Sequence, residues 1–192
     1  MTKDYAYSES DTITDGIKIN KTITIIGNGH TIDAKGQTRI FNVNASDVSI
    51  KQIRFENGKD IEGSVAYLAK ENVRINQCIF LNNPGPVISG AINPDQCDLN
   101  DNWFGNDWTN YKVKSSLLGD FNPETWYFLN MTIDINNLSI SLNNLYNRSD
   151  DIVLDEDEGC ELPLVDFTYN ASHMKIKDLA YNETINVFPD SN

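Results

Sequence analysis

One hundred and ninety-two residues make room for one ordinary domain or two small ones, since domains cluster near about 100–150 residues. With 40% apolar and 22% charged residues the composition is that of a folded globular chain, and a net charge of −13 speaks against nucleic acid and anionic membrane surfaces, which need concentrated Lys and Arg. No apolar stretch reaches the ~20 residues of a membrane span, and Met1-Thr2-Lys3-Asp4-Tyr5 has no apolar run behind it, so no secretory signal is read there.

Asparagine is in excess: 25 residues, roughly twice the ordinary share. It tolerates left-handed backbone and bonds to nearby peptide groups, so a chain this rich in it is expected to turn often. From the N-terminus, the first alternating apolar pair is Ile23 and Ile25. One period further on come Val48 and Ile50, and after the same interval again Val73 and Ile75. The aligned segments are Asp47-Val-Ser-Ile-Lys-Gln-Ile-Arg-Phe-Glu-Asn57, Asn72-Val-Arg-Ile-Asn-Gln-Cys-Ile-Phe-Leu-Asn82 and Gln96-Cys-Asp-Leu-Asn-Asp-Asn-Trp-Phe-Gly-Asn106, the step to the last being a single position shorter. They give columns Ile53, Cys78, Asn102; Phe55, Phe80, Phe104; and Asn57, Asn82, Asn106, while Ile40 and Val43 meet Val65 and Leu68. In the first unit the same offset puts His30 in the aromatic column, an irregularity expected of a terminal repeat.

Alternation within each unit is the two-residue period of a half-buried strand. A repeat of about 25 residues fits a leucine-rich repeat or a parallel β-helix. Leu is scarce and the return segments are strand-like, which favours the latter. The predicted fold is all-β: a short right-handed parallel β-helix of about four coils over residues 1–107, with coils stacked at the strand spacing of about 4.8 Å. Phe55, Phe80 and Phe104 are expected to form an aromatic ladder inside, and Asn57, Asn82 and Asn106 a ladder at a corner.

After Asn106 the pattern stops, and residues 108–124, with Gly119 and Pro123, read as a connector. Strand-like runs follow at Trp126–Ile133, Leu138–Leu142, Leu162–Tyr169 and Glu183–Phe188. They suggest a small Ig-like β-sandwich over 125–192, incomplete because such a fold needs about 100 residues. The acidic run Asp150–Gly159, with Asp155–Glu158 at its heart, has the oxygen ligands Ca²⁺ prefers but not the spacing of a calcium loop, so a solvated loop is the expectation. Cys78 and Cys97 fall in columns otherwise held by Ile and Val and read as buried small apolar residues; Cys160 is left over, and no disulfide framework emerges.

The units at 47–58 and 72–83 resemble the repeats of adhesin-like surface proteins of methanogenic archaea. Ile25-Ile-Gly-Asn-Gly-His-Thr-Ile-Asp-Ala34 resembles the opening coil of that family, Asn100-Asp-Asn-Trp-Phe-Gly105 its closing coil, and Asn122-Pro-Glu-Thr-Trp126 the passage into the Ig-like domain. The resemblance implies a non-enzymatic extracellular or cell-surface protein, of which this chain is a fragment, contacting surface glycans or other cell-surface proteins. No cofactor or catalytic residue is expected. Trp103, Trp108 and Tyr111 are candidates for stacking on sugar rings, against the plainer role of capping the core. The alternative is a carbohydrate-active β-helix enzyme, a polysaccharide lyase or glycoside hydrolase. Hydrolysis needs two carboxylates ~5–9.5 Å apart, and in the repeat alignment Asp47 is followed by Asn72 and Gln96, Glu56 by Leu81 and Gly105, so neither column stacks two acids.

Overall fold

The computed structural model describes residues 1–105, 118–133, 138–148, 152–154, 162–163 and 184–187. After β1 (Tyr5–Ala6) the chain winds four coils of three short strands each. The first coil holds β2 (Ile17–Ile19), β3 (Thr24–Ile26) and β4 (Thr31–Asp33). The second holds β5 (Phe41–Val43), β6 (Val48–Lys51) and β7 (Arg54–Glu56), and the third β8 (Ala66–Leu68), β9 (Val73–Asn76) and β10 (Ile79–Leu81). The fourth holds β11 (Ile88–Gly90), β12 (Cys97–Asp98) and β13 (Asn102–Trp103). Equivalent strands stack in parallel into three faces: β2-β5-β8-β11, β3-β6-β9-β12, and a longer third face running β1-β4-β7-β10-β13. Val48 pairs with Val73, Ile50 with Ile75 and Phe55 with Phe80, as the offset of the repeat requires. The molecule is thus a parallel β-solenoid of about four coils.

The strands are short because many of the corners turn through residues in the left-handed region. Asp47 and Asn72 open the second face with φ of 57° and 58°, Gln52, Gln77 and Asp101 join it to the third with φ of 55–57°, and Asn57 and Asn82 leave the third with φ of 53° and 54°. Left-handed backbone costs an ordinary residue roughly 1–2 kcal/mol, and Asn and Asp least; among the described residues Asn28, Asn57, Asn72 and Asn82 adopt it. At Gly27 no side chain fits at all: a Cβ there would lie 1.9 Å from the Gln52 carbonyl oxygen.

The first coil departs from the expected register. Ile32, not His30, pairs with Phe55, and Asp33 pairs with Glu56, a shorter step than the one from Phe55 to Phe80. The turn Gly27-Asn28-Gly29-His30 is two residues longer than its counterpart Gln52-Ile53, so His30 sits in the turn and Ile32 is buried in the aromatic column. Inside, Phe55 and Phe80 lie 5.4 Å apart between ring centroids and Phe80 and Phe104 5.0 Å, with Phe41 edge-on to Phe55 at 5.8 Å. These rings belong to one buried apolar cluster running through every coil.

Two buried asparagines serve that interior. Asn102, in the column of Ile53 and Cys78, accepts the Cys78 N–H at 2.8 Å and donates to the Ile75 and Leu99 carbonyls at 2.6 and 2.7 Å. Asn83 accepts the Gly58 N–H at 2.8 Å and donates to the Phe55 carbonyl at 3.0 Å. The corner residue Asn57 donates to the Asp33 carboxylate at 2.9 Å, so its amide bonds to an acid one coil below. Asn106 lies outside the described residues. Cys78 is buried and Cys97 half-buried, both as free thiols.

The solenoid core runs on across the connector expected at 108–124. The strand β14 (Thr125–Ile133) pairs in parallel with β13, Asn102 to Trp126 and Trp103 to Tyr127, a further step of nearly the same period. Leu118, Phe121, Trp126 and Phe128 are buried in the same cluster as the Phe ladder. The strands β15 (Leu138–Asn147), β16 (Ile152–Leu154) and β17 (Thr184–Val187) follow by antiparallel pairing, β14 to β15 and β15 to both β16 and β17. All extend the third face of the solenoid. Of the strand-like runs expected at Leu162–Tyr169 and Glu183–Phe188, residues 164–169, 183 and 188 lie outside the described residues.

Candidate functional site

Because Ile32, Phe55 and Phe80 point inward, their neighbours on the third face point outward. That outer surface divides in two. Towards the C-terminal end it carries Ile79, Trp103 and Tyr127, only 0%, 2% and 0% exposed yet outside the interior cluster. Trp103 therefore offers no ring face to a ligand, contrary to its reading as a sugar platform. Trp108 and Tyr111 lie outside the described residues, as do Asp155–Glu158.

The N-terminal half is polar. A cleft of about 360 Å³ is lined there by Asp4, Tyr5, Thr31, Asp33, Arg54 and Glu56 among others. The shorter register puts Asp33 directly beneath Glu56 on adjacent coils, overturning the expectation that the Glu56 column stacks no second acid. Both carboxylates are engaged. Asp33 meets Lys35 Nζ at 2.5 Å, the Lys35 N–H at 2.8 Å and the Asn57 amide at 2.9 Å. Burial pushes the Asp33 carboxyl up, but the Lys35 ammonium and the Asn57 amide outweigh it and hold the group below its ordinary value. Arg54 grips one oxygen of Glu56 with Nη2 at 2.5 Å and Nε at 2.6 Å. Asp4 accepts the Thr31 N–H at 2.9 Å and meets His30 Nδ1 at 3.0 Å, and these two contacts hold it low as well. A general acid working near neutrality needs a raised carboxyl; here Asp33 moves the other way.

On the first face Arg39, with its side chain 8% exposed, spans three coils. It pairs with Asp15 at 2.9 Å and Asp60 at 2.9 Å, donates to the Glu62 carbonyl at 2.6 Å, and lies 5.1 Å over the Tyr67 ring. These charges brace the stack of coils. At the edge of the second face, burial pushes the Cys97 thiol up, away from the reactive thiolate. Among the described residues no cluster of three or more His, Cys, Asp and Glu side chains is placed to hold a metal ion.

Comparisons with protein-family models, with curated proteins and with solved structures returned no match.

Proposed function

We propose that this chain is a non-catalytic surface module, adhesin-like in kind, whose solenoid presents a polar outer face to glycans and continues into Ig-like strands. One observation carries the reading: the acids that neighbouring coils bring together are each locked to a cation, Asp33 to Lys35 and Glu56 to Arg54. Each pair joins residues two apart within one coil and occupies the carboxylate that would otherwise face the cleft. The likeness of the repeat units, the opening coil and the Asn-Trp-Phe-Gly closing coil to methanogen adhesin-like proteins supports the same reading, and with it an extracellular location. A screen of the chain on a printed glycan array tests it. Saturable binding to at least one glycan is expected, and an array without signal overturns the proposal.

A second reading is favoured by the placing of Asp33 beneath Glu56 in a cleft: a carbohydrate-active enzyme acting at that pair. Incubation with neutral and uronate polysaccharides, followed for reducing ends and for unsaturated product, separates the two. No turnover is expected from the chain. Product that disappears in Glu56→Gln establishes the enzyme instead.

A further inference from the structure

On the second face the outward residues Ser49, Arg74 and Asp98 stand in register on three successive coils. Beside them, at the corner leading into that face, stack Asp47, Asn72 and Gln96, with the Asn72 N–H bonded to the Gln96 carbonyl at 2.9 Å. Together they line a cleft of about 600 Å³, within the usual size range of small-ligand sites. The polar side chains of the cleft are left open to a ligand. Arg54, Lys35 and Arg39 are locked to carboxylates, whereas the side chains of Asp47, Ser49, Asn72, Arg74 and Gln96 make no hydrogen bond or ion pair among the described residues, and Asp98 accepts only the Asn100 N–H at 3.1 Å.

We infer that this cleft is the glycan-binding site of the module, and that it takes a neutral oligosaccharide lying along the solenoid axis. The inference rests on the glycan-binding reading above and gives it a place and a ligand class. A guanidinium, two carboxamides, a hydroxyl and two carboxylates supply both donors and acceptors, the set that meets vicinal sugar hydroxyls in pairs. The positions that carry them repeat at the coil rise of about 4.8 Å, close to the length of one pyranose ring, so each successive sugar meets a polar group at a register-equivalent position. Three carboxylates line the cleft, Asp95 being the third, against the single cation Arg74. That balance repels uronates and leaves neutral sugars as the fitting class.

Calorimetric titration of the full chain with tetrasaccharides of β-linked glucose, mannose and N-acetylglucosamine, and with tetragalacturonate, tests the inference. At least one neutral probe is expected to bind, with tetragalacturonate at least tenfold weaker. Arg74→Ala and Asp98→Asn are each expected to weaken the neutral probe about tenfold, the loss of one hydrogen bond to a charged group, with the melting temperature unchanged. Neutral-sugar binding that neither substitution alters overturns this site while leaving the module a glycan binder. Equal or tighter binding of tetragalacturonate overturns the ligand class. Failure of all four probes overturns the site, and if the array is silent too, the module reading falls with it.

Discussion

At the scale of single residues, the groups that decide most are polar ones inside an apolar stack. Asn102 fills a column position held by Ile53 and Cys78 in the coils below, and satisfies the Cys78 N–H and two carbonyls at once. Asn102→Ala leaves all three without that partner in a dry interior. A loss of about 3 kcal/mol is expected, read as a lowered midpoint in urea denaturation. Asp33 carries a second prediction. Its folded pKa is lowered, so its contribution is fully present above the unfolded value of about 3.9 and is lost as pH falls through the folded one. Melting temperature is expected to hold steady from pH 7 to about 5 and to drop below about 4, with Asp33→Asn less stable at pH 7 and flatter over that acid range. The alignment showed Asn102 as a break in an apolar column, but periodicity counts side chains and not their hydrogen bonds. Its role was therefore invisible in the sequence, as was the pairing of Asp33 with Lys35.

At the scale of strands and corners, the repeat was largely legible. Alternating apolar pairs at a fixed offset can be satisfied together only if equivalent residues stack, and the registers of β6, β7, β9 and β10 follow those columns. What misled was length within a turn. Alternation registers strand residues, and the two extra residues around Gly29 shifted β4 without disturbing β3. That shift hid the Asp33–Glu56 pair and gave His30 the place of Ile32. The burial of Trp103 was equally unreadable, because burial of an outward position depends on what the rest of the chain lays over it. The ladder itself offers a test. Phe80 lies buried between two rings at 5.4 and 5.0 Å. Phe80→Ala is expected to cost about 3–5 kcal/mol and Phe80→Leu about 1–2, measured by chemical denaturation. Equal and small losses would mean that the rings do not pack as a column.

At the scale of the whole molecule, each coil buries its inner surface on the next, and an end coil needs a cover. At the N-terminal end Tyr7 is buried and its hydroxyl bonds the Ile40 carbonyl at 2.8 Å, while Arg39 ties Asp15 to Asp60 across the coils above. At the other end Leu118, Phe121, Trp126 and Phe128 close the interior over Phe104, all from beyond the boundary at 107 that the end of the repeat suggests. Burying a large apolar side chain is worth about 1.5–3 kcal/mol, so these four together approach the whole stability of an ordinary domain, about 5–15 kcal/mol. A chain cut after residue 107 is therefore expected to bind a hydrophobic dye and to melt without a sharp transition, whereas one cut after residue 148, keeping β14 and β15, retains a single cooperative melt by circular dichroism. A sharp melt of the shorter piece at the same temperature would show that the solenoid is complete at 107. The covering residues would then belong to a neighbour resting on a finished end.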